Sequence, residues 1–158
     1  MDATLTTPQF FSGRRRKMRW GSIAFIVGVT LTALVAAPLY VYFFGVSRPE
    51  IILFSVYFVA TSLAITVGYH RYFAHSTFKA HPAIQFILLF FGAATFEQSA
   101  LKWSALHRIH HQYTDTERDP YNIKEGFFFA HVGWILFWKQ AVNYDNVKDL
   151  QKNPMILH

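Results

Sequence analysis

The chain contains no cysteine. That excludes disulfides, thiolate metal sites, iron–sulfur ligation and a cysteine nucleophile. Charge is scarce as well: 15% of the 158 residues are Asp, Glu, Lys or Arg, against about 25% in an ordinary soluble domain. Acids are scarcer than bases, nine against fifteen, which leaves a formal net charge of +6. Several catalytic signatures are missing. There is no His-Glu-x-x-His pattern, no Gly-x-Ser-x-Gly elbow and no phosphate-binding loop. Nor is there a Glu-x-x-His pair, the pattern of carboxylate-bridged di-iron bundles.

What the chain does have is apolar mass, 53% hydrophobic and 18% aromatic, the composition of a membrane protein. Gly21 to Gly45 is 25 residues without a charge, about 37 Å as a helix. That is enough to cross a hydrocarbon core of roughly 30 Å. A signal-peptide core is shorter, about 7–15 residues, so a retained span is expected. The run Arg14-Arg15-Arg16-Lys17-Met18-Arg19 precedes it. Its position favours a topology signal over a nucleic-acid patch, with the N-terminus in the cytoplasm. After the polar turn Ser47-Arg48-Pro49-Glu50, Ile51 to Tyr69 gives 19 uncharged residues for the return. A membrane hairpin is therefore predicted over 20–69, between a basic cytoplasmic segment 1–19 and a partial cytoplasmic cap 70–158.

Two histidine clusters follow the hairpin: His70-Arg-Tyr-Phe-Ala-His75 and His107-Arg-Ile-His110-His111. Neither contains a carboxylate. Neutral imidazole binds iron, zinc, copper and nickel. Five imidazoles exceed the four of a structural zinc site and the three or so of a catalytic one. The count favours two metals, or one metal with spare histidines.

Both clusters can serve one site only if they lie on the same side of the membrane. The 15-residue apolar run Pro82 to Phe96 would be about 22 Å of helix, too short for an upright span. Pro82 to about Gln112 is accordingly predicted as one long helix on the cytoplasmic interface, with Pro82 in its first turn. On that helix His107, His110 and His111 share a face at i,i+3 and i,i+4, and Trp103 lies one turn before them. His70 and His75 are five apart, about 140° around a regular helix. Either the helix distorts between them or they serve different metals. Asp119-Pro120 is a helix breaker. Phe127 to Trp138 is predicted as an interfacial aromatic segment, and Val147 to Lys152 as helical. The fold class is all-α integral membrane, a transmembrane hairpin plus cytoplasmic interfacial helices that carry the histidine boxes.

Other residues carry weaker signals. His81 precedes a proline and is expected in solvent. His131, alone in an aromatic segment, is expected to be a buried, hydrogen-bonded histidine. Glu97 is either a partner of the site or a solvated surface acid.

Gly68-Tyr69-His70-Arg71-Tyr72-Phe73-Ala74-His75, Trp103, His107-Arg108-Ile109-His110-His111, Asp119-Pro120-Tyr121-Asn122 and Gly126-Phe127-Phe128-Phe129-Ala130-His131-Val132-Gly133-Trp134 together resemble the membrane fatty acid desaturases, specifically their Δ9 acyl-CoA branch. The resemblance covers roughly residues 20 to 158. It implies an enzyme with two irons that uses dioxygen as co-substrate and two electrons to desaturate a saturated acyl chain. By the same resemblance His70, His75, His107, His110 and His111 are iron ligands. Trp103 lines the bend of the acyl tunnel, and Gln98 lies near the acyl-donor headgroup. Phe58 and Ser62, four apart on the second span, mark the tunnel's closed end.

Ala105 stands where the animal acyl-CoA branch commonly has an arginine, so an acyl-lipid or carrier-protein substrate is an alternative to acyl-CoA. The family's third histidine box and second hairpin are not in this chain. It is therefore expected to be a fragment, inactive alone.

Electrons are expected from a b-type cytochrome, or from a ferredoxin with its reductase. The donor would be steered by Arg71, Lys79, Lys102, Arg108 and Lys124. The lipid bilayer is the other expected partner, and nucleic acid is not one. A bacterial plasma membrane is favoured over the endoplasmic reticulum. Two competing readings are a di-iron alkyl or lipid hydroxylase, and a non-catalytic membrane protein that binds zinc or heme through its histidines.

Overall fold

A computed structural model describes residues 18–137 and 142–157. The rest of the basic run, Arg14 to Lys17, lies outside them, as do Trp138 and His158. The described residues form helices and no strand.

Helix α1, Trp20–Phe44, buries none of its residues. It ends at Gly45, whose φ of +71° is a left-handed conformation that suits glycine. Helix α2, Arg48–Leu63, starts on a capping box in which Glu50 reaches back to the Ser47 backbone N–H at 2.7 Å. The Tyr40 hydroxyl donates to the other oxygen of Glu50, so one carboxylate ties the two ends of the hairpin turn together. Both predicted spans are helices long and apolar enough to cross a membrane.

The second span does not end at Tyr69. It continues as a π-helix from Ala64 to Ala74, giving an unbroken helical run Arg48–Ala74. Hydrogen bonds in a π-helix run from i to i+5, and His75 N–H donates to the His70 carbonyl at 3.0 Å. Residues five apart are therefore about one turn apart.

The long interfacial helix predicted over Pro82 to Gln112 is two helices. Helix α3 is Pro82–Ala93 and α4 is Ala100–Tyr113. Between them Phe96 (φ 59°) and Gln98 (φ 78°) take left-handed conformations that no helix accommodates. Ser99 then caps α4, accepting from the Lys102 N–H at 3.3 Å. The apolar run hid this break; the polar residues Thr95, Glu97, Gln98 and Ser99 were its signal. The aromatic segment winds as a π-helical turn, Phe129–Gly133, into α5, Trp134–Phe137. The tail helix predicted at 147–152 is instead two 3₁₀ turns, Asp145–Val147 and Leu150–Lys152, followed by α6, Pro154–Leu157. Its apolar residues still matter, because Val147 and Leu150 enter the core.

That core gathers Tyr69 and Phe73 of the π-helix, Leu88 of α3, Ala100 and Ala105 of α4, and Val147 and Leu150 of the tail. Close approach is built in by glycine. A Cβ on Gly92 would lie 2.3 Å from the Tyr69 ring. The polar stitch is Arg108. Its guanidinium donates to the Phe73 carbonyl (3.0 Å), the Ala74 carbonyl (2.7 Å) and the Asn146 carbonyl (2.6 Å), and makes a two-pronged ion pair with Asp149, each contact 2.8 Å. It thereby satisfies the last carbonyls of the π-helix and fastens the tail.

Two outcomes are expected. Gly92→Ala overpacks the Tyr69 contact and lowers stability by about 1–3 kcal/mol, read as an earlier thermal transition in detergent. Arg108→Ala strands three carbonyls and costs about 2–3 kcal/mol. Arg108→Lys recovers less than half of that loss, since an ammonium cannot reproduce the fork.

Candidate metal centre

Two helices supply the histidines. The π-helix presents His70 and, one π-turn on, His75; their rings are 4.7 Å apart. Helix α4 presents His107 and His111 one α-turn apart, with rings at 4.5 Å. The two pairs face each other, and the ligand nitrogens of His70, His75, His107 and His111 all lie within 4.8 Å of one another. The distorted-helix alternative for His70 and His75 is the one the fold adopts.

The spacing suits a metal ion. His75 Nε2 and His107 Nε2 are 3.1 Å apart. Two nitrogens on one ion with bonds of about 2.1 Å would show that separation at an angle of about 95°. An all-imidazole set with no carboxylate among its four members fits a divalent transition metal.

His110 is placed differently. It sits on α4 between the two others, its ring 5.6 Å from that of His111. Its Nδ1 is 2.8 Å from Asp119 Oδ1, and it is not a member of the close quartet. Asp119 is buried, a role that its reading as a helix breaker overlooked.

Trp103 borders the site as its spacing predicted. Its indole stacks on the His107 ring at 4.6 Å, and its edge meets Tyr69 and His70. Glu97, for which two roles were open, accepts from the Trp103 Nε1–H at 2.9 Å. Gln98 lies in the break before α4, and its Oε1 is buried without a hydrogen-bond partner among the described residues. Phe58 and Ser62 are exposed on α2, twelve and eight residues before His70. Phe58 stacks on Phe54 there, at 6.0 Å.

Of the remaining histidines, His81 is exposed and caps α3, its Nδ1 accepting from the Ala83 N–H. His131 is hydrogen bonded to the Phe127 carbonyl at 2.8 Å, but it is exposed rather than buried. Tyr121, between His110 and Trp134, is a phenol kept neutral by burial and by the nearby Asp119 and Glu97 charges. Arg108, predicted as part of a steering surface, is committed to carbonyls and Asp149. Lys102 is half-buried and its ammonium pKa is lowered, first by burial and then by Arg19. Arg71, Lys79 and Lys124 are exposed.

Two of the imidazoles, those of His107 and His75, are held away from the charged form. Burial lowers the His107 pKa from 6.5 to about 3, helped by repulsion from His111, His70, His75 and His110. Burial also lowers that of His75, with His70, His111 and Arg108 adding to it. Neutral imidazole is the form a metal needs.

Proteins of known description place the chain. A probable acyl-CoA desaturase of Schizosaccharomyces pombe is 35% identical over 144 residues, 90% of this chain and 29% of that protein. An acyl-CoA Delta(11) desaturase of Trichoplusia ni is 38% identical over 119 residues, 72% of this chain and 34% of its own length. Acyl-CoA desaturase 1 of Saccharomyces cerevisiae is 44% identical over 88 residues, 55% of this chain and 17% of its own. The chain thus spans about a third of the first two relatives. No family model matches it.

The depressed His107 value has a defined sign. As pH falls below 6.5, the unfolded chain takes up a proton that the folded site resists down to about pH 3. Stability of the metal-free protein is therefore expected to fall with acidification across that window. Denaturant unfolding at pH 7 and pH 5 checks this, and His107→Ala should flatten the dependence.

Proposed function

The chain belongs to the acyl-CoA desaturase family, and on that premise we propose that it carries the first part of the catalytic machinery of a fatty acyl desaturase. The observation that supports this reading is the quartet of His70, His75, His107 and His111, assembled from two boxes that follow a pair of membrane-length helices. The reaction is –CH2–CH2– + O2 + 2e⁻ + 2H⁺ → –CH=CH– + 2H2O. The substrate is a saturated acyl-CoA, and Δ9 is the proposed position of the double bond. Acyl-lipid is the alternative acyl carrier.

Iron, when bound, supplies dioxygen activation and the removal of two hydrogens from the chain. The protein's own part is to hold, orient and exclude. The quartet would hold one iron. His110, turned out of the quartet, is assigned to the second iron of a pair. Trp103, fixed by Glu97 and stacked on His107, gives the acyl chain an apolar wall against the metal ligands. Gln98 offers its unpartnered carbonyl oxygen towards the acyl donor, and Phe58 and Ser62 face the far end of the chain along α2.

Apart from Phe58 and Ser62, the exposed α1 and α2 side chains are proposed to sit in the bilayer, with the N-terminus and the boxes cytoplasmic. The named relatives are eukaryotic, so they lend no support to a bacterial plasma membrane over the endoplasmic reticulum. Arg71, Lys79 and Lys124 remain as the basic groups that would steer an acidic electron donor, a b-type cytochrome or ferredoxin.

The chain, purified in detergent without oxygen and titrated with ferrous iron, is expected to bind one ion tightly. His75→Ala and His107→Ala should each weaken that binding at least tenfold. Bound zinc or heme with no affinity for iron would sink the reading. Assembled with the rest of a desaturase and given a saturated acyl-CoA, oxygen and reductant, it should yield an alkene. An alcohol would point to a hydroxylase.

A further inference from the structure

Asp119 does more than end a turn. Its side chain is fully shielded from solvent (0% exposed) while the imidazole it meets, His110, is 30% exposed. Both of its oxygens are occupied. Oδ2 accepts from the Asp115 N–H at 2.9 Å, and Oδ1 accepts from the Tyr121 N–H at 2.9 Å. His110 Nδ1 lies 2.8 Å from Oδ1. The loop that holds the carboxylate is itself pinned: buried Asn122 donates to the Thr116 carbonyl at 2.9 Å, and Thr114 Oγ1 donates to the His110 carbonyl at 2.8 Å. Tyr121 lies against the imidazole, ring centres 5.3 Å apart.

A carboxylate with two backbone donors is an acceptor, so the third contact must be donated by His110 Nδ1–H. The two ring nitrogens then differ. Nδ1 carries the proton, and Nε2 keeps a lone pair on the side of the ring away from Asp119. We infer that Asp119 is a positioning residue: it locks His110 in the Nδ1–H tautomer and aims Nε2 as a metal ligand outside the quartet. A carboxylate behind a ligating histidine fixes ring orientation and raises basicity. The inference rests on the metal-centre reading above, except for the tautomer, which stands by itself.

The test uses the whole chain, labelled with ¹⁵N at histidine and purified metal-free. The His110 resonances are assigned through His110→Ala. At neutral pH the long-range ¹H–¹⁵N spectrum should show His110 Nδ1 protonated and Nε2 bare. Asp119→Asn, which turns half of the acceptor into a donor, should mix the tautomers. Zinc is then added as a diamagnetic probe. His110 Nε2 should shift, and in Asp119→Asn the affinity read at that nitrogen should fall about 10–100-fold.

A wild-type His110 protonated at Nε2 overturns the inference, and that measurement needs no variant to fold. So does an Asp119→Asn protein with an unchanged tautomer and only a lower melting temperature. If zinc shifts the quartet but not His110, the ligand role of His110 fails while the metal centre stands. If zinc shifts none of the five, the metal centre itself fails.

Discussion

Arg108 stands between His107 and His110 in the second histidine box, and its guanidinium bonds to neither. It spends its donors on the last two carbonyls of the π-helix, on the tail carbonyl of Asn146 and on Asp149. Those contacts decide the separation of the two boxes. The carbonyls at a helix end have no partner inside the helix, so some donor must come from elsewhere. Here it comes from the helix that carries the facing histidines. His107 is carried along at a fixed height against His70 and His75. Asp149 holds the fork in place, and the Arg108 charge keeps the Asp149 carboxyl below its usual range.

Packing and electrostatics work in the same direction around this stitch. Gly92 admits the Tyr69 ring, and Tyr69 in turn meets Trp103, the indole stacked on His107. The half-buried His107 disfavours the imidazolium. Repulsion from the clustered rings adds to the effect, and no carboxylate stands in the quartet to oppose it. Carboxylates instead act one layer out: Glu97 on the Trp103 N–H and Asp119 on His110. The acids nearest the quartet thus orient aromatic rings.

Much of this was readable from residue patterns. The two uncharged stretches announced the hairpin, because spanning a bilayer demands length and apolarity before anything else. The i,i+4 spacing of His107 and His111 announced a shared face, because α-helical geometry is local. The reading went wrong where a local rule met a non-local demand. An apolar run from Pro82 onward resembles one helix, yet Phe96 and Gln98 break it so that α4 can turn its histidines towards the π-helix. Arg108 resembles one more interfacial charge, yet it is withdrawn to satisfy carbonyls far away in sequence.

The sequence by itself determined the all-helical class of the chain, the two membrane-length helices and the gathering of histidines into two boxes. These follow from composition and from spacing within single elements. Only the tertiary structure decided which imidazoles meet. Histidines five apart diverge on an α-helix and converge on a π-helix, and packing against α3 and α4, not the pattern of residues, accompanies that winding. Histidines three apart on α4 should converge, yet His110 leaves the group because a buried carboxylate nine residues on takes its Nδ1. Spacing fixes direction around a helix axis; the partner at the end of each side chain is supplied by the fold.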